Sequence, residues 1–397
     1  MRMLLNNINF RNYFIGVLIS NIGDYMDDIA MAQIIYLITK STFITSYVFA
    51  IKIICSLISI FTSTVVDLGN KKRLLSSSCI LQALVILTLI ISFKPKTLSI
   101  FILIVLVTMQ ALFSTFMKPC QNAILPRIVG KNDIIEARSL IEIANQFLQI
   151  FSYFSAGIIV MQIGLTGALI IDFLSFMVMP ILLLFVNFKD VTIKGDKNYI
   201  NEMKDGLKFI ADNKLLKDVM LLTFIGNFLV APVDSLIVAL ISSRNYRPDT
   251  YALYMTSLAL GGIITGLLYK KINLHLSPKH VLAVGYLYGM VSLIVLCIQN
   301  LFLMYFSGFL MGISTYIVSV MNASLIQIYT PVDKSARTFS IFKCLSFLAS
   351  PLGIVIAGAL GEYMNLGYVF AIYGLLMSAA VLGSFLLEKT PIPAQNN

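Results

Sequence analysis

The feature that most constrains this 397-residue chain is a run of roughly 20 apolar residues that recurs from one end to the other. As an α-helix such a run rises about 30 Å, the thickness of a bilayer's hydrocarbon core. Only 12% of the residues are charged and 58% are hydrophobic, with a mean hydropathy of +0.89, so a water-soluble fold would lack the polar surface to cover them. Lipid offers no hydrogen bonds to an open backbone, which leaves helices or a closed barrel; a barrel would alternate in strands of about ten residues. The sequence therefore predicts an all-α integral membrane protein. Twelve transmembrane helices are expected, near 12–38, 43–66, 74–92, 98–117, 139–161, 163–188, 217–241, 250–269, 279–298, 301–322, 339–361 and 367–387.

The net charge of +10 does not indicate a nucleic-acid partner, because the basic residues lie in short loops and are not interleaved with aromatics on one face. Lys71, Lys72, Arg73, Arg127, Lys131, Arg138 and the cluster from Lys189 to Lys214 fall on one side of the predicted topology; only Lys40, Lys94, Lys96, Arg244 and Arg247 fall on the other. The positive-inside rule then puts both termini in the cytoplasm. The apolar run after Arg2 and Arg11 continues to Ile38 without a small-residue cleavage site and reads as a retained first span. Cys55, Cys79, Cys120, Cys297 and Cys344 have no metal-ligand spacing, so free thiols and no metal are expected. His275 and His280 have no ligand partners, no nucleotide-binding loop occurs and no nucleophile constellation is visible, so neither a cofactor nor an enzyme is expected.

A polar stretch at 189–216 divides the chain into an N-terminal half, 1–188, and a C-terminal half, 217–397. Within it, 199–213 is amphipathic, with Met203, Leu207 and Ile210 on one helical face, as expected of a linker lying on the inner membrane surface. The halves echo each other. Ser114, Thr115, Asn122, Ala123 and Leu125 recur as Ser314, Thr315, Asn322, Ala323 and Leu325, Ala137-Arg138 as Ala336-Arg337, and the Asn21/Asp28 pair as Asn227/Asp234. Duplication of this kind places a binding site where two repeats meet.

Ionisable groups inside a bilayer cost on the order of 3 kcal/mol each, so those present mark functional positions. Asp24, Asp27 and Asp28 lie near the middle of the first span, with Asp24 and Asp28 on one helical face. Lys52 lies at a matching depth in the second span, and Asp27 is assigned as its partner in a structural ion pair. Asp234 follows Pro232, which should bend the seventh span. Asp24, Asp28 and Asp234, with Asn21 and Asn227, are the candidate proton- or substrate-binding residues. Lys118 and Lys343 are read as snorkelling lysines at cytoplasmic ends, and Asp172 and Glu362 as outer interfacial residues.

After the second span, Asp67-Leu68-Gly69-Asn70-Lys71-Lys72-Arg73 resembles the loop motif of the major facilitator superfamily, with Asp67, Lys71, Lys72 and Arg73 as its charged members. Asn21-Ile22-Gly23-Asp24, Leu125-Pro126 with Ala137-Arg138, and Asp172-Phe173-Leu174-Ser175-Phe176 look like the macrolide-efflux and siderophore-exporter branch. The chain departs from the loop motif at Ser63 and Leu68. The resemblance implies two rocking six-helix halves and a monomeric transporter in the bacterial inner membrane. It further implies a small amphipathic substrate, a drug or siderophore, exported on an ion gradient, with a proton as coupling ion. Uptake of a small polar solute and a lipid flippase or membrane enzyme are the alternatives.

Overall fold

The computed structural model describes residues 7–92, 99–130, 133–188, 207–247, 249–273, 277–330 and 332–387; most of the linker, with Met203, lies outside them. Among the described residues every regular element is a helix. In chain order these are α1 (Ile8–Thr39), α2 (Thr42–Leu68), α3 (Lys71–Ser92), α4 (Ile100–Ser114), α5 (Met117–Val129), α6 (Ile134–Leu184) and α7 (Lys214–Val230). There follow α8 (Pro232–Ser243), α9 (Asp249–Asn273), α10 (Pro278–Val295), α11 (Leu301–Tyr329), α12 (Val332–Phe347), α13 (Ala349–Tyr363) and α14 (Leu366–Phe385). Ten stretches among the described residues are long and apolar enough to cross a membrane. The two other expected spans are α1, whose 32 residues carry the three aspartates, and the part of α6 before Gly164. Gly164 has φ 71°, a left-handed conformation that suits glycine, and divides α6 into two arms.

The chain groups into two compact units. The first holds the described residues of Met1–Asp196 together with Pro232–Ala259 and Ile354–Leu366. Here α1 packs along α6, which also carries α3. Gly16 and Gly23, two turns apart on α1, make that approach close: a β-carbon on Gly23 would overlap Ser175 Oγ, and one on Gly16 would lie 2.5 Å from Met179 Sδ. Phe10, Tyr13 and Val17 of α1, with Phe176, Met179 and Leu183 of α6, are fully buried around this contact.

The same unit joins α8 and the end of α13 to α1 and α2. Thr42 Oγ1 donates to Gly358 O at 2.9 Å. The Glu362 carboxylate accepts from Ser41 Oγ (2.6 Å), Thr42 Oγ1 (3.2 Å) and Phe43 N (3.0 Å), sitting over the first turn of α2. Unpaired backbone N–H groups and the helix dipole make such a terminus a favourable seat for a carboxylate.

The second unit comprises the described residues of Lys197–Ala231, with Leu260–Gly353 and Gly367–Asn397. Its α10 and α11 pack together, and α7 packs on α11 and α12. In the expected amphipathic stretch Ile210 is buried while Leu207 is exposed. Pro232 ends α7, because it has no N–H to give the Phe228 carbonyl four residues earlier. That carbonyl meets Gly353 instead, so closely that any β-carbon there would overlap Phe228 O. Tyr373 locks the contact: its hydroxyl donates to Gly353 O at 2.9 Å, and its ring stacks on Phe228 with centroids 5.9 Å apart.

Candidate functional site

The acids of α1 are graded by exposure within two turns of helix. Asp27 is buried, its side chain 6% exposed, whereas that of Asp28 is 51% exposed. Lys52 of α2 lies between them, with Nζ 3.6 Å from Asp27 Oδ2 and donating to Asp28 Oδ1 at 3.2 Å. The ammonium serves both carboxylates and approaches Asp28 more closely than Asp27. Its Nζ is also 5.9 Å from the centre of the Phe49 ring. Gln110 of α4 lies within reach of Asp27. Asp24 is one turn further in, partly buried and within electrostatic reach of Lys52 and Lys118. A low-dielectric setting makes the second and third negative charges around one ammonium costly.

Asp172 lies elsewhere than the sequence suggested. It is fully buried in the second arm of α6, not interfacial, and a β-carbon on Gly23 would be 2.7 Å from its Oδ1. Neither carboxylate oxygen has a hydrogen-bond partner. Close packing of α1 on α6 through Gly23 is what draws Asp172 in. Its position in the interior of an apolar span was the signal available in the sequence.

Asp234 stands in the first turn of α8, exposed, and α8 packs on α1 and α2. It lies within electrostatic reach of Asp28. The two asparagines of the echo play matching parts: Asn21 Nδ2 donates to Asn145 Oδ1 of α6 at 2.7 Å, and Asn227 Nδ2 donates to Ser346 O of α12 at 3.0 Å. Each ties two helices of its own unit together.

Two cavities flank these asparagine bonds, one in each unit. The first unit's, about 500 Å³, is lined by Tyr13, Val17, Lys118, Gln121, Asn122, Leu125, Arg138, Ile141 and Asn145. The second unit's, about 380 Å³, is lined by Asn227, Asn322, Lys343 and Ser346 among apolar neighbours that include Val230, Val318, Phe342 and Met377. Asn122 and Asn322, which recur in the sequence, each line the hollow of their own unit. Lys118 and Lys343 line cavities, where the sequence reading had them reaching for headgroups. Asn322 Nδ2 donates to Thr223 Oγ1 at 2.9 Å, while its Oδ1 and Ser346 Oγ are buried without partners.

The loop motif is structural in its visible contacts. Lys72 Nζ donates to the carbonyls of Val186 (3.0 Å) and Leu184 (3.4 Å), closing the end of α6. The buried Lys71 donates to Gly69 O at 3.1 Å, and Asn70 Oδ1 accepts from Arg73 N at 2.9 Å. The Asp67 side chain lies outside those described. Among the described residues no group of His, Cys, Asp and Glu is arranged to hold a metal, and the five cysteines are free thiols.

The fold is that of membrane transporters. Solved structures similar to it include the nucleoside transporter NupG (TM-score 0.78, 10% identity, 96% of this chain and 100% of that one) and a bacterial homologue of the iron transporter ferroportin in the inward-facing state (0.73, 16%, 96% and 99%). Residues 4–397 match the family described as transmembrane secretion effector, and the chain belongs to that family of the major facilitator superfamily. Relatives include the MFS-type transporter YvqJ of Bacillus subtilis (strain 168), 22% identical over 68% of this chain and 66% of its own length. Macrolide efflux protein A of Streptococcus pyogenes is 21% identical over 78% of each.

Proposed function

We propose that the chain is an ion-coupled exporter of a small amphipathic compound, working as a monomer of twelve spans in the cytoplasmic membrane with both ends inside. Two six-helix halves joined by the 189–216 segment would rock about the site to expose it to each side in turn. The observation that carries the reading is the grouping of Asp24, Asp27 and Asp28 around Lys52, with Asp28 left half open. Asp27 and Asp28 share the ammonium, Asp27 from the buried side as the structural partner and Asp28 from the exposed side, where with Asp24 we place the coupling role. Asp234 adds a further carboxyl on the facing helix. Direction is supported by likeness to macrolide efflux proteins.

Cells with and without the chain, loaded with erythromycin, ethidium or 2-naphthoate, test the export reading. Lower steady-state accumulation of at least one compound in cells carrying the chain, reversed by a protonophore, is expected. Equal accumulation of every compound, or higher accumulation with the chain present, would count against export.

A further inference from the structure

We propose that the 500 Å³ cavity of the first unit is an anion site that takes the carboxylate or phosphate of a small amphipathic ligand. Its polar groups are set to donate. Lys118 of α5 and Arg138 of α6 bring two positive charges; Asp24 is within electrostatic reach of Lys118, but no carboxylate occurs among the described lining residues. Gln121 is 7% exposed, and its Nε2 is a buried donor with no partner. Asn145 has its Oδ1 occupied by Asn21 Nδ2, so the amide N–H groups are what it offers the cavity. Tyr13 is spent, its hydroxyl donating to Gln121 O at 3.0 Å.

A buried donor left unmade costs about 1–3 kcal/mol, and two cations facing one hollow repel. An anion relieves both. The planar fork of arginine suits a carboxylate or phosphate, whose two oxygens it can meet at once. Val17, Leu125 and Ile141 supply the rest of the wall, so the ligand has an apolar body beside its charged group. Taken with the export reading, on which this last step rests, the cargo is an amphipathic anion. The same chemistry is presented by a free carboxylate and by the headgroup of an anionic lipid.

The purified full chain in phosphatidylcholine nanodiscs, titrated calorimetrically with 2-naphthoate and with 2-naphthalenemethanol, tests the site. One saturable naphthoate site is expected. Lys118→Gln and Arg138→Gln should each weaken it about tenfold, the loss expected for one charge-assisted hydrogen bond. Lys118→Arg should keep most of the affinity, and the alcohol should bind weakly and equally to all variants. Unliganded melting temperatures identify any variant that fails to fold. Persistence of naphthoate binding in phosphatidylglycerol nanodiscs assigns the site to a soluble anion, and suppression there assigns it to a headgroup; both uphold an anion site. Undiminished naphthoate binding to the folded Lys118→Gln/Arg138→Gln double variant, or no saturable binding of wild type in phosphatidylcholine, overturns it. Intact naphthoate binding in a chain that exports nothing would remove only the cargo assignment.

Discussion

Lys52 holds two carboxylates of unequal exposure, and the proposed reading gives the buried one a structural role and the exposed one a working role. Removing the ammonium would strand Asp27 in an apolar setting. Lys52→Gln is therefore expected to destabilise the protein in detergent by about 3 kcal/mol, and adding Asp27→Asn should recover most of the loss. Thermal unfolding of the two singles and the double, analysed as a cycle, measures this; simple additivity would contradict the pairing. That acids and a lysine meet here was legible in the sequence, because charges in apolar runs stand out and their depths matched. Which acid lies closest to the lysine was not: Asp27 and Asp28 are neighbours on the helix, and the long lysine stem reaches both. Asp172 was misread as interfacial because its burial depends on a contact made by Gly23, a residue with no side chain to advertise it.

Among the helices, hydropathy located the ten described stretches that are long and apolar enough to cross a membrane, and Pro232 announced the break between α7 and α8. The partner of that break could not be seen, since it takes the fold to bring Gly353 against the Phe228 carbonyl. Gly353→Ala adds a single methyl where a backbone oxygen already sits, so a loss of about 1–3 kcal/mol is expected from overpacking. An unchanged melting temperature in detergent would show that the contact is looser than described. The Glu362 cap on α2 yields a second prediction at this scale. Neutralising it in Glu362→Gln removes a charge-assisted interaction with a helix N-terminus, worth up to about 1 kcal/mol in an exposed setting. The packing of α8 and α13 on α1 and α2 should open more often as a result. An impermeant maleimide added outside should label Val238→Cys several-fold faster in that background, because Val238 is 4% exposed in the closed packing. No change in rate would make the cap incidental.

At the scale of the whole molecule, the chain is too apolar for water and groups into two compact units. The echo of Asn21 and Asn227 was readable as a sequence pattern; its content, equivalent hydrogen bonds to Asn145 and Ser346, required the fold. The paired cavities were invisible in sequence, because lysines near span ends read the same whether they seek headgroups or line a hollow. The family and its fold are settled by the match over residues 4–397 and by the transporter structures. The central claim is that carboxyl groups of α1 link ion movement to cargo movement. The most direct measurement is cargo flux in proteoliposomes under an imposed pH gradient, using the compound whose accumulation the chain lowers, for wild type and for Asp24→Asn and Asp28→Asn. Gradient-driven flux in wild type with at least about a tenfold fall in Asp28→Asn is the predicted result, equivalent to about 1.4 kcal/mol in the limiting step. Equal gradient-driven flux in wild type and both variants would contradict the account.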